Sequence, residues 1–489
     1  VYYPNDLLNR AKKYRNGWDM LVENIVVSKE DPIPFYRQIY LRFRTSISDG
    51  LLKPGDRVPS VRALASELNL ARGTIETAYQ LLINEGYLVG RGAAGTVVSP
   101  LLKSAPVTPR TLPVSSPQDF LVHSGAEPLP FQMGLPALDA FPHRLWNRIA
   151  ASELRGSSLD GSIYPDARGH VSLRTALAGY LSVSRGISCT PGQIFIAAGY
   201  RACLDLISRS LLKPGDGCWV EDPGYFAARD FLREAGAALI PVSVDAQGMV
   251  VEDGVRRMPD ARFAVVTPTH HSPLCVALSM PRRQALLEWA NRQGSWIIED
   301  DYDSEYRYHG RPLPALKSLD TQDRVLYCGT FSKVLMPGLR LAYLVVPEEL
   351  VPRFAEVADK MHSHCPQLWQ VTTARFIEEG HFGRHLKKMR NLYADRRHLL
   401  VDALSAKFSG RLTIDQQVGG MHLLGRLDEG IDDCAIADNA KRNGLGVQAL
   451  SRWYLSSSTE RGLLLGFTNV SSKEQAMALA GRLAKAFAG

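Results

Sequence analysis

Residues 329–343 read GTFSKVLMPGLRLAY and residues 296–302 read WIIEDDY. In the first, a β-prone run gives way to a hydroxyl-rich turn, then to Lys333, with Arg340 seven residues on. The second is a β-branched run that ends in Asp300, Asp301 and Tyr302. Outward from these, short β-branched runs alternate with helical stretches from about residue 119 to about 347: QIFIAAG, CWVEDPGY, ALIPVSV and FAVVTP upstream, RVLYCGT and LAYLVVP downstream. Such alternation predicts an α/β unit, a mainly parallel sheet covered by helices on both faces. Open sheets of this kind bind ligands at the carboxyl ends of their strands, where Asp300, Tyr302 and Lys333 fall. After about residue 348 the pattern is first helical, then returns to short strands (GGMHLLGRL, GLLLGFTNV) and closes with a helix, which predicts a smaller α+β subdomain.

Bulk properties bound the rest. With 489 residues, 45% hydrophobic and 22% charged, the chain is of ordinary globular composition and too long for one compact unit. Its seven cysteines are scattered, form no C-x-x-C pair and sit mostly in apolar runs, which predicts a reducing cytoplasm and no metal site. No long apolar run or signal-peptide pattern is present, so neither a membrane nor export is expected. A net charge of +7 suits a nucleic-acid partner without requiring one. The predicted organisation is an N-terminal extension (1–30), a compact segment (31–99), a Pro/Ser/Thr-rich linker (100–118) and the α/β unit (119–489).

In the compact segment, Phe35, Ile39, Phe43 and Ile47 make one helical stripe that stops near Gly50. A second helix follows with Ser60 as N-cap and Val61, Leu64, Ala65 and Leu68 facing inward. After a turn at Asn69 and Leu70, a third helix buries Ile75, Ala78, Tyr79 and Leu82 and leaves Arg72, Thr74, Thr77 and Gln80 outside. Helix, tight turn, helix is the geometry that lays the second helix into the major groove. Two β-prone runs around a Gly-rich turn with Arg91 supply a wing. Any three-helix domain shows such stripes, so detail must decide. LKPGDRVPSVRALA (52–65) and EGYLVGRGAAGT (85–96) resemble the GntR-type winged helix. That resemblance implies that Arg57, Ser60, Arg62, Arg72, Thr74, Thr77 and Arg91 lie near double-stranded DNA. One departure is Ala71, where the family commonly opens its recognition helix with Ser.

Pyridoxal phosphate (PLP) chemistry needs a lysine for the aldehyde, an acid for the pyridine nitrogen and donors for the phosphate. Lys333, Asp300 and Arg340 can fill these roles, and Gly199 and Tyr200 precede a helix whose free N–H groups suit a phosphate. Singly, each has an ordinary structural explanation. Together, in this order, they resemble the fold type I aminotransferases. With the winged helix and the EDDYDSEYRY string at 299–308, the chain resembles the MocR/GabR family of PLP-dependent transcription regulators.

The resemblance implies roles. Lys333 is the internal aldimine lysine, Asp300 the partner of the pyridine nitrogen and Tyr302 a donor to the ring oxygen, while Thr330, Ser332 and Arg340 neighbour the phosphate. Tyr225 covers a ring face, with plain core packing as its alternative. His270 lies where relatives touch the ring oxygen, a structural histidine being the alternative. Tyr164 matches a tyrosine that reaches the neighbouring subunit's phosphate, which implies a homodimer. Arg461 and Arg452 are candidates for an effector carboxylate, because Leu464 stands where many aminotransferases place Arg. Cys275 replaces a usual glycine, so its turn must adopt a geometry that Cys tolerates. The expected function is a regulator that senses a small amine or amino acid, or PLP itself, with little or no turnover. The alternative is a working aminotransferase with an accessory winged helix.

Overall fold

The computed structural model describes residues 27–28, 30–101, 127–156, 164–308, 313–361, 364–408, 410–415, 417–428, 430–457 and 460–487. Nearly all of the predicted extension and linker, and the start of the α/β unit, lie outside the described residues. The chain divides into two compact units, one ahead of residue 123 and one after it.

The first unit holds α1 (Phe35–Ser48), α2 (Val61–Glu67), α3 (Arg72–Asn84) and the antiparallel pair β1 (Leu88–Gly90) and β2 (Thr96–Val98). Ile39, Phe43, Leu64, Ile75, Ala78, Leu82, Leu88 and Val98 close its core. The rings of Phe43 and Tyr79 meet edge to face at 5.4 Å, and the Tyr79 hydroxyl donates to the Pro59 carbonyl at 2.9 Å. Ser60 caps α2 by accepting from the Ala63 N–H at 3.2 Å. Ala71, the residue before α3, offers no side-chain cap. Val61 and Leu68 are only half-buried, since a helix of seven residues covers little more than the Leu64–Ala65 step.

The second unit carries β3 (Ile194–Ala197), β4 (Gly217–Asp222), β5 (Ala238–Asp245), β6 (Gly248–Met249), β7 (Phe263–Val266), β8 (Trp296–Asp301), β9 (Val325–Thr330) and β10 (Ala342–Val345) in one sheet of order β3-β10-β9-β8-β7-β4-β5-β6. The β9-β8-β7-β4-β5 run is parallel, while β10 and β6 run antiparallel to their neighbours. Strands β4, β7 and β8 are buried throughout, as a sheet covered on both faces requires. Alternation sorts the side chains of β3, β9 and β10. Phe195, Leu326, Cys328 and Leu344 enter one apolar cluster, and Ile194, Ile196, Tyr327, Tyr343 and Val345 enter another on the opposite face.

The helices of this unit are α4 (His143–Gly156), α5 (Val171–Arg185), α6 (Tyr200–Leu211), α7 (Phe226–Glu234), α8 (Val251–Arg257), α9 (Met280–Gln293), α10 (Val351–Met361), α11 (Gln367–Glu378) and the 28-residue α12 (His381–Phe408). A terminal subdomain follows, with β11 (Thr413–Ile414), β12 (His422–Arg426), α13 (Asp433–Arg442), β13 (Gln448–Ala449), β14 (Gly462–Gly466) and α14 (Lys473–Ala486). Its four strands form a separate antiparallel sheet of order β11-β12-β14-β13. Because β4, β7, β8 and β9 are parallel, the segments after them emerge at one edge. Those segments bring Tyr225, His270, Tyr302 and Lys333.

Candidate functional site

At that edge the Lys333 amine donates to the Gly134 carbonyl at 2.8 Å. Gly134 has φ +77°, which favours glycine, and a Cβ there would lie 2.5 Å from the amine nitrogen and displace the lysine tip. The Tyr306 hydroxyl donates to the Lys333 carbonyl at 3.2 Å and fixes the backbone of the turn. Burial lowers the pKa of the amine, and the carboxylates of Asp303 and Asp300 pull the other way. A lysine held in this way is easier to deprotonate, hence more nucleophilic, than one on the surface.

Asp300 is buried on β8. Burial and the neighbouring Asp301 push its carboxyl up to about 8, against the pull of Tyr200 and Lys333. An acid in that state is poorly satisfied alone and suits a cationic ring N–H. Asp301 is already occupied: it pairs with the buried Arg185 at 2.5 Å and accepts from Tyr327 at 2.5 Å. The two adjacent acids therefore do different work, one structural and one available.

Tyr302 places its hydroxyl 3.0 Å from His270 Nδ1, and the same nitrogen lies 3.1 Å from the Asp303 carboxylate. Burial disfavours charge on His270, but Asp303 and the Cys275 sulfur prevail and raise its pKa well above the ordinary histidine value. Tyr225 is half-buried, its ring 6.4 Å from that of Tyr200 and 6.3 Å from that of Trp453.

An anion cradle lies at the start of α6. Gly199 is the N-cap with φ +96°, a conformation that favours glycine. A Cβ there would come within 3.0 Å of the Arg340 guanidinium, which donates to the Ala198 carbonyl at 2.9 Å. A cation thus sits against the N-terminus of a twelve-residue helix. Ser332 is joined to Thr330, its N–H donating to the Thr330 hydroxyl at 3.1 Å.

Three predicted residues are not brought here. Arg452 pairs with Asp438 at 2.7 Å. Arg461 lines a separate cavity with Asp432, Asp433, Cys434 and Ser451. Tyr164 is 92% exposed. Sequence reasoning missed Gly134, which carries no local signal, and Asp303, which sits inside the EDDYDSEYRY string beside residues that were noticed. On the first unit Arg57, Ser60, Arg62, Arg72, Thr77 and Arg91 are exposed and Thr74 is half-exposed. Arg57 lies over Gly95 of the wing, 3.0 Å from where a Cβ would be, and Arg72 approaches Glu76 at 3.7 Å.

The model of aminotransferase class I and II matches residues 139–447, and that of bacterial regulatory proteins of the gntR family matches residues 35–98. A probable rhizopine catabolism regulatory protein MocR of Rhizobium meliloti is 37% identical over 92% of this chain and 93% of its own length. The chain belongs to the MocR/GabR family of regulators. Another relative, the HTH-type pyridoxine biosynthesis transcriptional regulator PdxR of Corynebacterium glutamicum, is 31% identical over 91% of this chain and 94% of its own. Among solved structures, kynurenine aminotransferase of Pyrococcus horikoshii is 27% identical with a TM-score of 0.68, over 74% of this chain and 91% of that one. MocR/GabR chains thus join a GntR winged helix to an aminotransferase fold, and pyridoxal phosphate is the cofactor that fold implies. The residues described above fit it: a hindered, partly buried amine, an available buried acid, a phenol and a cationic helix terminus converge on one strand edge.

Proposed function

We propose that this chain is a cytoplasmic transcription regulator whose second unit holds pyridoxal phosphate at Lys333 and uses it to sense a small amine or amino acid, or the cofactor itself. The observation that carries the reading is the convergence of Lys333, Asp300 and Tyr302 on one sheet edge of a chain that also bears a GntR winged helix. When bound, the cofactor supplies an aldehyde carbon to which amines add reversibly and a ring that draws electrons from that carbon.

The chain's own residues do the rest. Lys333 supplies the amine that an incoming amine replaces. Asp300 holds a proton at the ring nitrogen, Tyr302 donates to the ring oxygen with His270 behind it, and Tyr225 covers a face of the ring. Arg340 and the opening N–H groups of α6 hold the phosphate, with Thr330 and Ser332 beside them. Two copies of the chain complete the site, Tyr164 reaching into the neighbour's. Its nearly full exposure, with Val183 at 91% and Val171 at 58%, supports that assignment. On the first unit Arg57, Ser60, Arg62, Arg72, Thr74, Thr77 and Arg91 meet the duplex, chiefly through phosphates, so binding is salt-sensitive. Among the described residues no helix is long and apolar enough to cross a membrane.

The test is DNA affinity of the full chain, with and without PLP and a panel of amines, at fixed salt. The expected result is a change in affinity on adding PLP and a particular amine that is absent in Lys333→Ala. Unchanged affinity in all conditions, or sustained keto-acid formation at ordinary enzyme rates, would favour the aminotransferase alternative.

A further inference from the structure

The turn after β7 contains a residue whose backbone and side chain are at odds. Cys275 has φ +60°, in the left-handed region that favours glycine, yet it keeps a buried side chain. Its sulfur is 3.1 Å from Nε2 of His422, and that nitrogen is also 3.0 Å from the Pro273 carbonyl. His422 opens β12 of the terminal sheet, whereas residues 271–276 hang from the main sheet, so this contact joins the two. His270 neighbours His422, their rings 6.0 Å apart. Its Nδ1 faces Tyr302 and Asp303, while its Nε2 is buried with no hydrogen-bond partner. Tyr302, His270 and His422 thus follow one another from the cofactor edge to the terminal subdomain, with the Cys275 sulfur bound to His422.

We propose that Cys275 is a positioning residue of the cofactor site: its sulfur holds His422, whose ring neighbours that of His270 behind the Tyr302 hydroxyl, so that the terminal subdomain is coupled to the phenol. This rests on the reading that Tyr302 faces the bound ring. The electrostatics agree. Burial alone would raise the thiol, but His422 and His270 outweigh it and hold it at about 6. In turn the sulfur raises His422 above its ordinary value, against the opposing effect of burial. The titratable groups around the sulfur are His270 and His271 of the turn, Tyr302, Asp303 and Tyr308 of the segment after β8, and His422 of β12.

Two measurements on the full chain test the idea. The first is ultraviolet thiolate absorbance of cofactor-free wild type minus Cys275→Gly as pH is raised. The expected midpoint lies at least about one unit below the ordinary cysteine value of ~8.5 and moves back toward it in His422→Asn. A midpoint at or above that ordinary value overturns the clasp. The second is the pH midpoint of the visible band after PLP is added. It should move in Cys275→Gly and return toward wild type in Cys275→Ser, whose hydroxyl can still bond His422. Glycine suits this backbone, so Cys275→Gly should fold. If its pH midpoint stays put while only its melting temperature changes, Cys275 is merely structural and the proposal fails. A wild-type chain that takes up no PLP would instead overturn the reading of the site, and the thiolate measurement, made without cofactor, would tell the two failures apart.

Discussion

The winged helix and the cofactor edge offer two opposite ways of placing chemistry on a fold. On the first, the residues assigned to DNA are exposed or half-exposed. At the second, Asp300, His270 and Cys275 are buried and each is tuned by named neighbours. A surface reader sums many weak, screened contacts, so any one of them is replaceable. A buried site has few groups and no substitutes, so a single loss is felt in full.

This contrast can be broken most easily at Asp300. Replacing it with Ala should weaken PLP binding by about a hundredfold, since a buried charge-assisted bond is worth roughly 1.5–3 kcal/mol, while DNA affinity without cofactor stays near wild type. Fluorescence titration with PLP and anisotropy with DNA would check both. Arg72→Ala, by comparison, should weaken DNA binding only about threefold to tenfold at fixed salt and flatten the salt dependence by about one charge, leaving PLP binding unchanged. A hundredfold loss of DNA affinity would show that the reader depends on single residues after all.

Acid–base behaviour sharpens the comparison. Burial raises Glu221 and Asp300 to about 8 and Glu299 and Glu305 to about 7. Each binds its proton more tightly folded than unfolded. Its stabilising contribution is therefore complete below the ordinary carboxylate range and is lost as pH rises through about 7 and 8. The melting temperature of the cofactor-free second unit should fall by several degrees between about pH 6 and about pH 9, and Asp300→Asn should remove part of that fall. A melting temperature that rises over this range contradicts the burial argument. The smallest effect is a gain. Ala71→Ser adds the missing cap to α3, worth about 1 kcal/mol, and should raise the melting temperature of the first unit by a few degrees.

Much of both regions was legible in the sequence because it is local. Short β-branched runs marked β3–β5, β7–β10, β12 and β14, helical stripes marked the three helices of the reader, and the uncapped Ala71 was visible as a departure. Lys333, Asp300, Tyr302 and His270 were legible because parallel strands deliver their followers to one edge. What escaped depends on distance along the chain. Gly134 meets Lys333 across 199 residues, and His422 meets Cys275 across 147. Composition gives no hint of either contact. Arg452 looked available as a cation in sequence, but tertiary packing had already supplied Asp438 as its partner.

The central claim is that Lys333 carries the cofactor, and it is tested most directly by titrating the full chain with PLP and following visible absorbance after unbound cofactor is removed. The account predicts a saturating band with one cofactor per chain in wild type and none in Lys333→Ala. A wild-type protein that stays colourless in excess PLP, or a Lys333→Ala variant that keeps the same band, would contradict it.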